Sequence, residues 1–194
     1  MDSEKNDYRT LILSAGERFG TFLEPVLAAH GIVTVATANN LREAKRLAAE
    51  ESYDFIFVNS PLPDSDGYRF ALDASRSLGS VVLLALSAER YDEASHILAP
   101  HGVYLLQKPL SHKALSAALD WMSATRARLC EVEEKRLSLE EKMKELTLIN
   151  RAKWVLIDRR GMSEAEAHHY IEKQAMDRRI SKREAAEEII QING

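Results

Sequence analysis

The sequence predicts an α/β fold: a doubly wound parallel sheet, followed by one long helix and a small three-helix module. Three patterns lead there. Short apolar runs alternate with helically spaced segments over the first 120 residues. A heptad pattern without glycine or proline then follows. Two serine–glutamate capping signatures punctuate the remainder.

After a polar tail at residues 1–8, five apolar runs read as buried strands: Thr10–Leu13, Ile32–Ala36, Phe55–Val58, Val81–Leu86 and Val103–Leu106. Between them Glu17–Ala29, Leu41–Glu50, Gly67–Ser77 and Glu89–Ala99 have helical spacing, and a further helix begins near Ser111. Strands that are continuously apolar, rather than alternating, are buried on both faces. Separation by helices makes the sheet parallel. The order over residues 9–120 fits the flavodoxin-like doubly wound fold, whose working site lies beyond the carboxyl ends of the strands.

Composition excludes several classes. The start of the chain has no signal-peptide pattern and no apolar run is long enough to span a membrane, so a cytoplasmic protein without membrane attachment is expected. Cys130 is the single cysteine, which rules out an intrachain disulfide. The histidines show no metal spacing, and no nucleophile–base pair or phosphate loop is present. No metal, cofactor or enzymatic activity is therefore expected. Formal net charge is -4, but residues 151–183 hold 9 basic and 5 acidic side chains. A basic segment on an acidic chain suits a polyanion partner or a solvated helix face.

From Leu115 the apolar positions fall alternately three and four apart: Leu115, Ala118, Met122, Thr125, Leu129, Val132, Arg136, Leu139, Met143 and Leu146. This is an a/d heptad stripe, and it predicts a parallel dimeric coiled coil over residues 115–147, continuous with the preceding helix. The seam is placed at Met122, Leu129, Val132, Arg136, Leu139, Met143 and Leu146. Arg128 and Lys135 at g would meet Glu133 and Glu140 at e of the second chain. The alternative is a long helix packed on its own N-terminal domain. Cys130 falls at b, outside the stripe.

Gly161 should end the long helix. Ser163 with Glu166, and Ser181 with Glu184, are capping boxes that open helices near 163–177 and 181–190. Met162 and Ile180 precede them as hydrophobic staples onto Ala167 and Ala185. Apolar faces at Ala167, Tyr170, Ile171 and Ala175, and at Ala185 and Ile189, would close on Ile149, Ala152, Val155 and Leu156 of the long helix.

The strand ends resemble those of response-regulator receiver domains. The segment from Tyr53 to Gly67 is similar to the phosphoacceptor strand and turn, with Asn59 where the family has aspartate. Ser14 and Ala15 stand where the family holds magnesium with an acidic pair. Ser87 and Lys108-Pro109 keep the family pattern, and Leu105 replaces its switch aromatic. An asparagine amide is a poor nucleophile and forms no acyl phosphate. Phosphoryl transfer also needs a cation to offset charge on the phosphoryl oxygens. The resemblance therefore implies a pseudo-receiver, degenerate at Asn59, Ser14, Ala15, Ser87 and Lys108 and regulated independently of aspartyl phosphorylation. Ser87 and Lys108 then become structural.

Residues 140–194 resemble the ANTAR domain, an RNA-binding antiterminator module often joined to a receiver by a coiled coil. The Ala152-Lys153, Gly161-Met162-Ser163-Glu164 and Ala175-Met176 elements carry the likeness. Trp154 departs from it, standing where a small residue is common. Trp154 is either a base-stacking platform beside Lys153, or it extends the dimer seam together with Ile157. Lys153, Arg159, Arg160, Arg178, Arg179, Lys182 and Arg183 are candidate RNA contacts, the last four of them otherwise a solubilising turn. The resemblance implies a homodimer that binds stem-loops of a nascent transcript and prevents a terminator hairpin. The competing expectation is a protein-interaction regulator, whose receiver-like domain and coil dock a partner with little RNA binding.

Overall fold

The computed structural model describes residues 8–32, 34–77 and 79–193. Most of the predicted tail therefore lies outside the described residues. Five strands, β1 (Arg9–Leu13), β2 (Thr34–Ala38), β3 (Phe55–Asn59), β4 (Val81–Leu86) and β5 (Tyr104–Gln107), pair in parallel in the order β2-β1-β3-β4-β5. Helices α1 (Glu17–Ala29), α2 (Leu41–Glu50), α3 (Tyr68–Ser77) and α4 (Ala88–Leu98) connect them. A single turn of 3-10 helix, Ala99–His101, leads towards β5. Three more helices follow: α5 (His112–Arg160), α6 (Glu164–Arg178) and α7 (Lys182–Asn193). The doubly wound sheet, the long helix and the C-terminal helices are those expected.

Register explains the continuous apolar strands. Leu11 pairs with Ile56 and Ile12 with Phe57, while Phe57 pairs with Leu83. Successive side chains point to opposite faces. Leu11, Leu13, Ile56, Val58, Val82, Leu84 and Leu86 join Phe70, Ala71 and Ala74 of α3 and Ala94 and Leu98 of α4 in one core. Ile12, Phe55, Phe57, Leu83 and Ala85 face the other way, onto Phe19, Leu23 and Leu27 of α1.

Strand β2 begins two residues later than expected. Ile32 is instead part of the turn after α1, where its amide donates to the Leu27 carbonyl at 3.0 Å, and its side chain is buried. Apolar burial in that turn mimicked strand burial in the sequence. As the edge strand, β2 has one neighbour, and Val35 and Thr37 are exposed.

The turn between β3 and α3 needs Gly67. Its φ is +81°, and a β-carbon there would stand 2.9 Å from Val58 Cγ1. Only glycine takes that backbone conformation without strain and keeps the chain this close to the β3 end.

The chain divides into two units, the first ending at Cys130 and the second beginning at Glu131. This corrects part of the heptad reading. Leu115, Ala118 and Met122, expected at the start of the dimer seam, are fully or almost fully buried in the first unit. They pack on the α1 side of the sheet with Leu119. The same segment of α5 is tied down by polar contacts. Arg126 Nε donates to Asp54 Oδ1 at 2.7 Å, and the Thr125 hydroxyl lies 2.6 Å from Tyr104 Oη. Met122 is therefore a core residue, and Thr125 serves this unit too. An a/d stripe and the apolar face of a packed helix have nearly the same period, so sequence alone does not separate them.

In the second unit the end of α5 packs with α6 and α7. Ile149, Ala152 and Leu156 meet Ala167, Ile171 and Ala175 of α6 and Ala185, Ala186 and Ile189 of α7. Val155 is only half-buried, whereas Leu148 and Ile157 pack against this core. The reading that put Ile157 in a dimer seam is corrected by that packing. Five of the nine buried residues are alanine, so backbones approach closely around little side-chain volume. Gly161, with φ +65°, follows the last residue of α5. Both capping boxes form. Ser163 accepts from the Glu166 amide at 3.3 Å while Glu166 accepts from the Ser163 amide at 2.8 Å. Ser181 and Glu184 repeat the arrangement at 3.1 and 2.8 Å.

Candidate functional site

The carboxyl ends of β1 and β3 bring Asn59 and Ser14 together. Asn59 Nδ2 donates to Ser14 Oγ at 3.0 Å, and Ser14 Oγ donates to the Gly16 carbonyl at 2.9 Å. The result is a neutral relay, with amide hydrogens where a cation would require oxygen donors of negative charge. These residues do not fit a magnesium ion. Among the described residues no group of three or more His, Cys, Asp or Glu converges as a metal site. Asp64 and Asp66, in the turn after β3, are spent on the amides of Leu41 and Tyr68.

The other two receiver-like residues face elsewhere. Ser87 precedes α4, and its hydroxyl donates to Glu89 at 3.3 Å. The Lys108 ammonium donates to the Ser60 carbonyl, one residue past Asn59. Burial holds its pKa below the ordinary lysine value. Lys108 thus clips β5 to β3 through the backbone, and Ala15 is exposed.

The heptad stripe from Leu129 onward is open in the single chain. Leu129, Val132, Leu139, Met143 and Leu146 are all exposed, with Met143 at 68%. Arg136 pairs along its own helix with Glu133 at 2.6 Å and with Glu140. Both glutamates had been assigned to lysine or arginine of a second chain.

The basic residues of the second unit fall into two sets. Lys153 pairs with Glu164 at 2.8 Å, and Lys182 with Glu172 at 2.6 Å. Arg178 pairs with Glu188, and Arg183 with Glu187 at 2.9 Å. Hydrogen bonds from Lys153, Lys182 and Arg178 hold Glu164, Glu172 and Glu188 below the usual carboxylate range. Lys153, a candidate RNA contact in the sequence, has a side chain that is only 16% accessible. The cause is its place on α5 beside the start of α6.

The second set is open. Arg151, Lys173 and Arg179 are exposed and have no ion pair among the described residues. Arg179 takes a left-handed conformation, φ 54°, that ends α6. Arg159 reaches only its neighbour Asp158, at 3.8 Å. Trp154 is 70% exposed on α5. Arg160 Nη1 donates to Tyr170 Oη at 3.0 Å, with the guanidinium carbon 5.2 Å from the ring centroid. Sequence reasoning missed that partnership and the buried Ala186. Arg160 and Tyr170 are ten residues apart across a helix break, which no local spacing signals.

Comparison with known proteins falls along the same division. Residues 137–190 match the ANTAR domain. The match spans the end of α5, α6 and nearly all of α7. The chain thus carries an ANTAR domain behind a unit with the receiver fold. It is 27% identical over 173 residues to the transcriptional regulatory protein PdtaR of Mycobacterium tuberculosis, covering 89% of the chain and 84% of that relative. The first unit shares its fold with a two-component response regulator from Clostridium difficile, at TM-score 0.53 and 22% identity over 61% of this chain and 97% of that one. A receiver domain from Clostridium thermocellum superposes with TM-score 0.54 and 18% identity, covering 64% and 98%. No helix among the described residues is long and apolar enough to cross a membrane.

Proposed function

We propose that this protein is a dimeric transcription antitermination regulator. It binds stem-loops of a nascent leader transcript through residues 137–190 and takes its signal by a route other than aspartyl phosphorylation. The ANTAR match, on a segment that folds around its own three-helix core, carries this reading. Phosphate contacts supply salt-dependent affinity, and unstacked loop bases supply specificity. Arg151, Lys173 and Arg179 are the phosphate contacts available without breaking an internal pair, and Arg159 would give up only its 3.8 Å pair with Asp158. Lys153, Arg178, Lys182 and Arg183 would exchange a glutamate for a phosphate.

The exposed stripe from Leu129 to Leu146 supports self-association in parallel, since apolar residues at that spacing are covered by a second helix. Two modules on one dimer can engage two stem-loops and gain effective concentration. In the first unit, the Asn59–Ser14–Gly16 relay supports a domain that is held in one state and has no chemical switch at this site. A second reading, the protein-interaction regulator, is favoured by the neutralisation of four of the candidate cations inside the module.

Crosslinking the protein in its native cells and sequencing the bound RNA tests the proposal. Leader segments able to fold paired stem-loops should be enriched, and binding should weaken as salt rises. Recovery of protein partners with no enriched RNA would replace antitermination by the second reading. Light scattering tests the dimer. The chain should have about twice its 21.8 kDa mass, and Leu139→Glu with Leu146→Glu should halve it.

A further inference from the structure

The turn between α5 and α6 gathers aromatic, apolar and basic side chains in one place. A cleft of about 400 Å³ opens there between Arg160–Met162 and the Glu166, His169, Tyr170 and Lys173 face of α6. Three- and four-residue spacing puts those four on one side of the helix. The contact from Arg160 to Tyr170 lays a guanidinium over an aromatic ring, so that the two offer a layered π surface. Met162, half-buried, adds an apolar wall. The acid in the cleft is already used. Glu166 accepts from the amide and hydroxyl of Ser163 at 2.8 and 2.7 Å, and these bonds lower its pKa. His169 and Lys173 stand exposed at the rim, without an ion pair among the described residues.

A π surface, an apolar wall and a rim cation together suit a flat heterocycle joined to an anion. A simple anion would leave the ring and Met162 unused, and a base inside a duplex cannot reach them. Unstacked bases in RNA loops do both, because they splay out and stack on aromatic rings or guanidinium planes. We propose that this cleft takes one unstacked base of an RNA loop. The base lies against Tyr170 and Arg160, His169 meets its edge, and Lys173 meets the adjoining phosphate. The inference rests on the RNA-binding reading above and names the contact that makes binding selective.

The test uses the full chain and a pool of RNA hairpins with one common stem and a randomised loop. Wild type should enrich one loop family. Tyr170→Leu should bind the enriched hairpin on the order of 5–150-fold more weakly, the equivalent of one lost base stack. In a repeated selection it should lose the preference at a single loop position. Lys173→Ala should keep that preference and flatten the log–log salt dependence by just under one unit. Arg179→Ala, outside the cleft, should flatten the slope without touching the preference. If wild type enriches a loop and both cleft variants bind it with unchanged affinity, preference and slope, the cleft is overturned while RNA binding stands. If wild type enriches no loop, the RNA reading itself fails and the cleft with it. Should Tyr170→Leu melt at lower temperature, His169→Ala and Lys173→Ala decide the matter, since both alter exposed side chains; an unchanged preference and slope in both overturns the proposal.

Discussion

The two units of this chain bury apolar surface in different ways. The first unit has two cores, one on each face of a parallel sheet, filled by Phe55, Phe57 and large aliphatic side chains. The second has a single core of nine residues, mostly alanine, supplemented by exposed ion pairs and two capping boxes. Buried area scales with side-chain size, so the sheet unit draws its stability from packing. The helical unit has little area to bury and depends more on its helix ends and surface charges. Exposed pairs are weak singly and sensitive to salt. The unit that would bind RNA is thus the one whose stabilising charges a polyanion can compete for.

Cutting each core should expose the difference most strongly. Phe57→Ala should cost the first unit about 3–5 kcal/mol, and Leu156→Ala the second about 2–5 kcal/mol. The smaller unit should be lost at ambient temperature while the larger one still melts cooperatively. Hydrogen exchange resolved by segment checks this; equal loss of protection in both units under Leu156→Ala would contradict the separation. Next in size is overfilling. Ala186→Leu forces side-chain volume between closely packed helices and should cost about 1–3 kcal/mol. A thermal melt that rises instead would mean that the alanine core has spare room.

A smaller effect separates the units by pH. Hydrogen bonds from Ser163 and Ser181 hold the Glu166 and Glu184 carboxyls below their ordinary 4.5, as the basic partners hold Glu164, Glu172 and Glu188. Carboxylates with lowered folded pKa values stabilise the fold above the unfolded value, and that contribution disappears as pH falls through the lower folded values. The helical unit should therefore lose stability below about pH 4.5, ahead of the sheet. Ser163→Ala should remove about 1 kcal/mol at neutral pH and shrink the acid sensitivity. Circular dichroism at a series of pH values measures both; a helical signal indifferent to pH and to the cap would refute the account.

The smallest expected effect is none at all. Acetyl phosphate with magnesium should leave the mass of the wild type unchanged, because Asn59 and Ser14 bond each other and offer no carboxylate. Asn59→Asp alone should also remain unmodified, since β1 ends in Ser14 and Ala15. A stable phosphoprotein from either would restore chemical switching to the first unit.

Much of this was legible in the residues because it depends on local chemistry. Apolar runs separated by helical spacing dictate a parallel sheet whichever helix covers each face. Serine followed three residues later by glutamate forms a box within one turn, and glycine ends a helix through its own backbone. Asn59 shows by identity alone that β3 ends without a carboxylate. Tertiary structure decided what depends on partners distant in sequence. One heptad stripe runs from Leu115 to Leu146, yet Met122 lies inside the first unit and Leu146 outside any core of the chain, because periodicity specifies a face and not what covers it. Likewise the sequence showed nine cations between 151 and 183, whereas the fold paired Arg178 with Glu188 and Lys182 with Glu172 and left Lys173 and Arg179 open. Charge is a property of a residue, but its availability to a ligand is set by which carboxylates the packing of helices brings within reach.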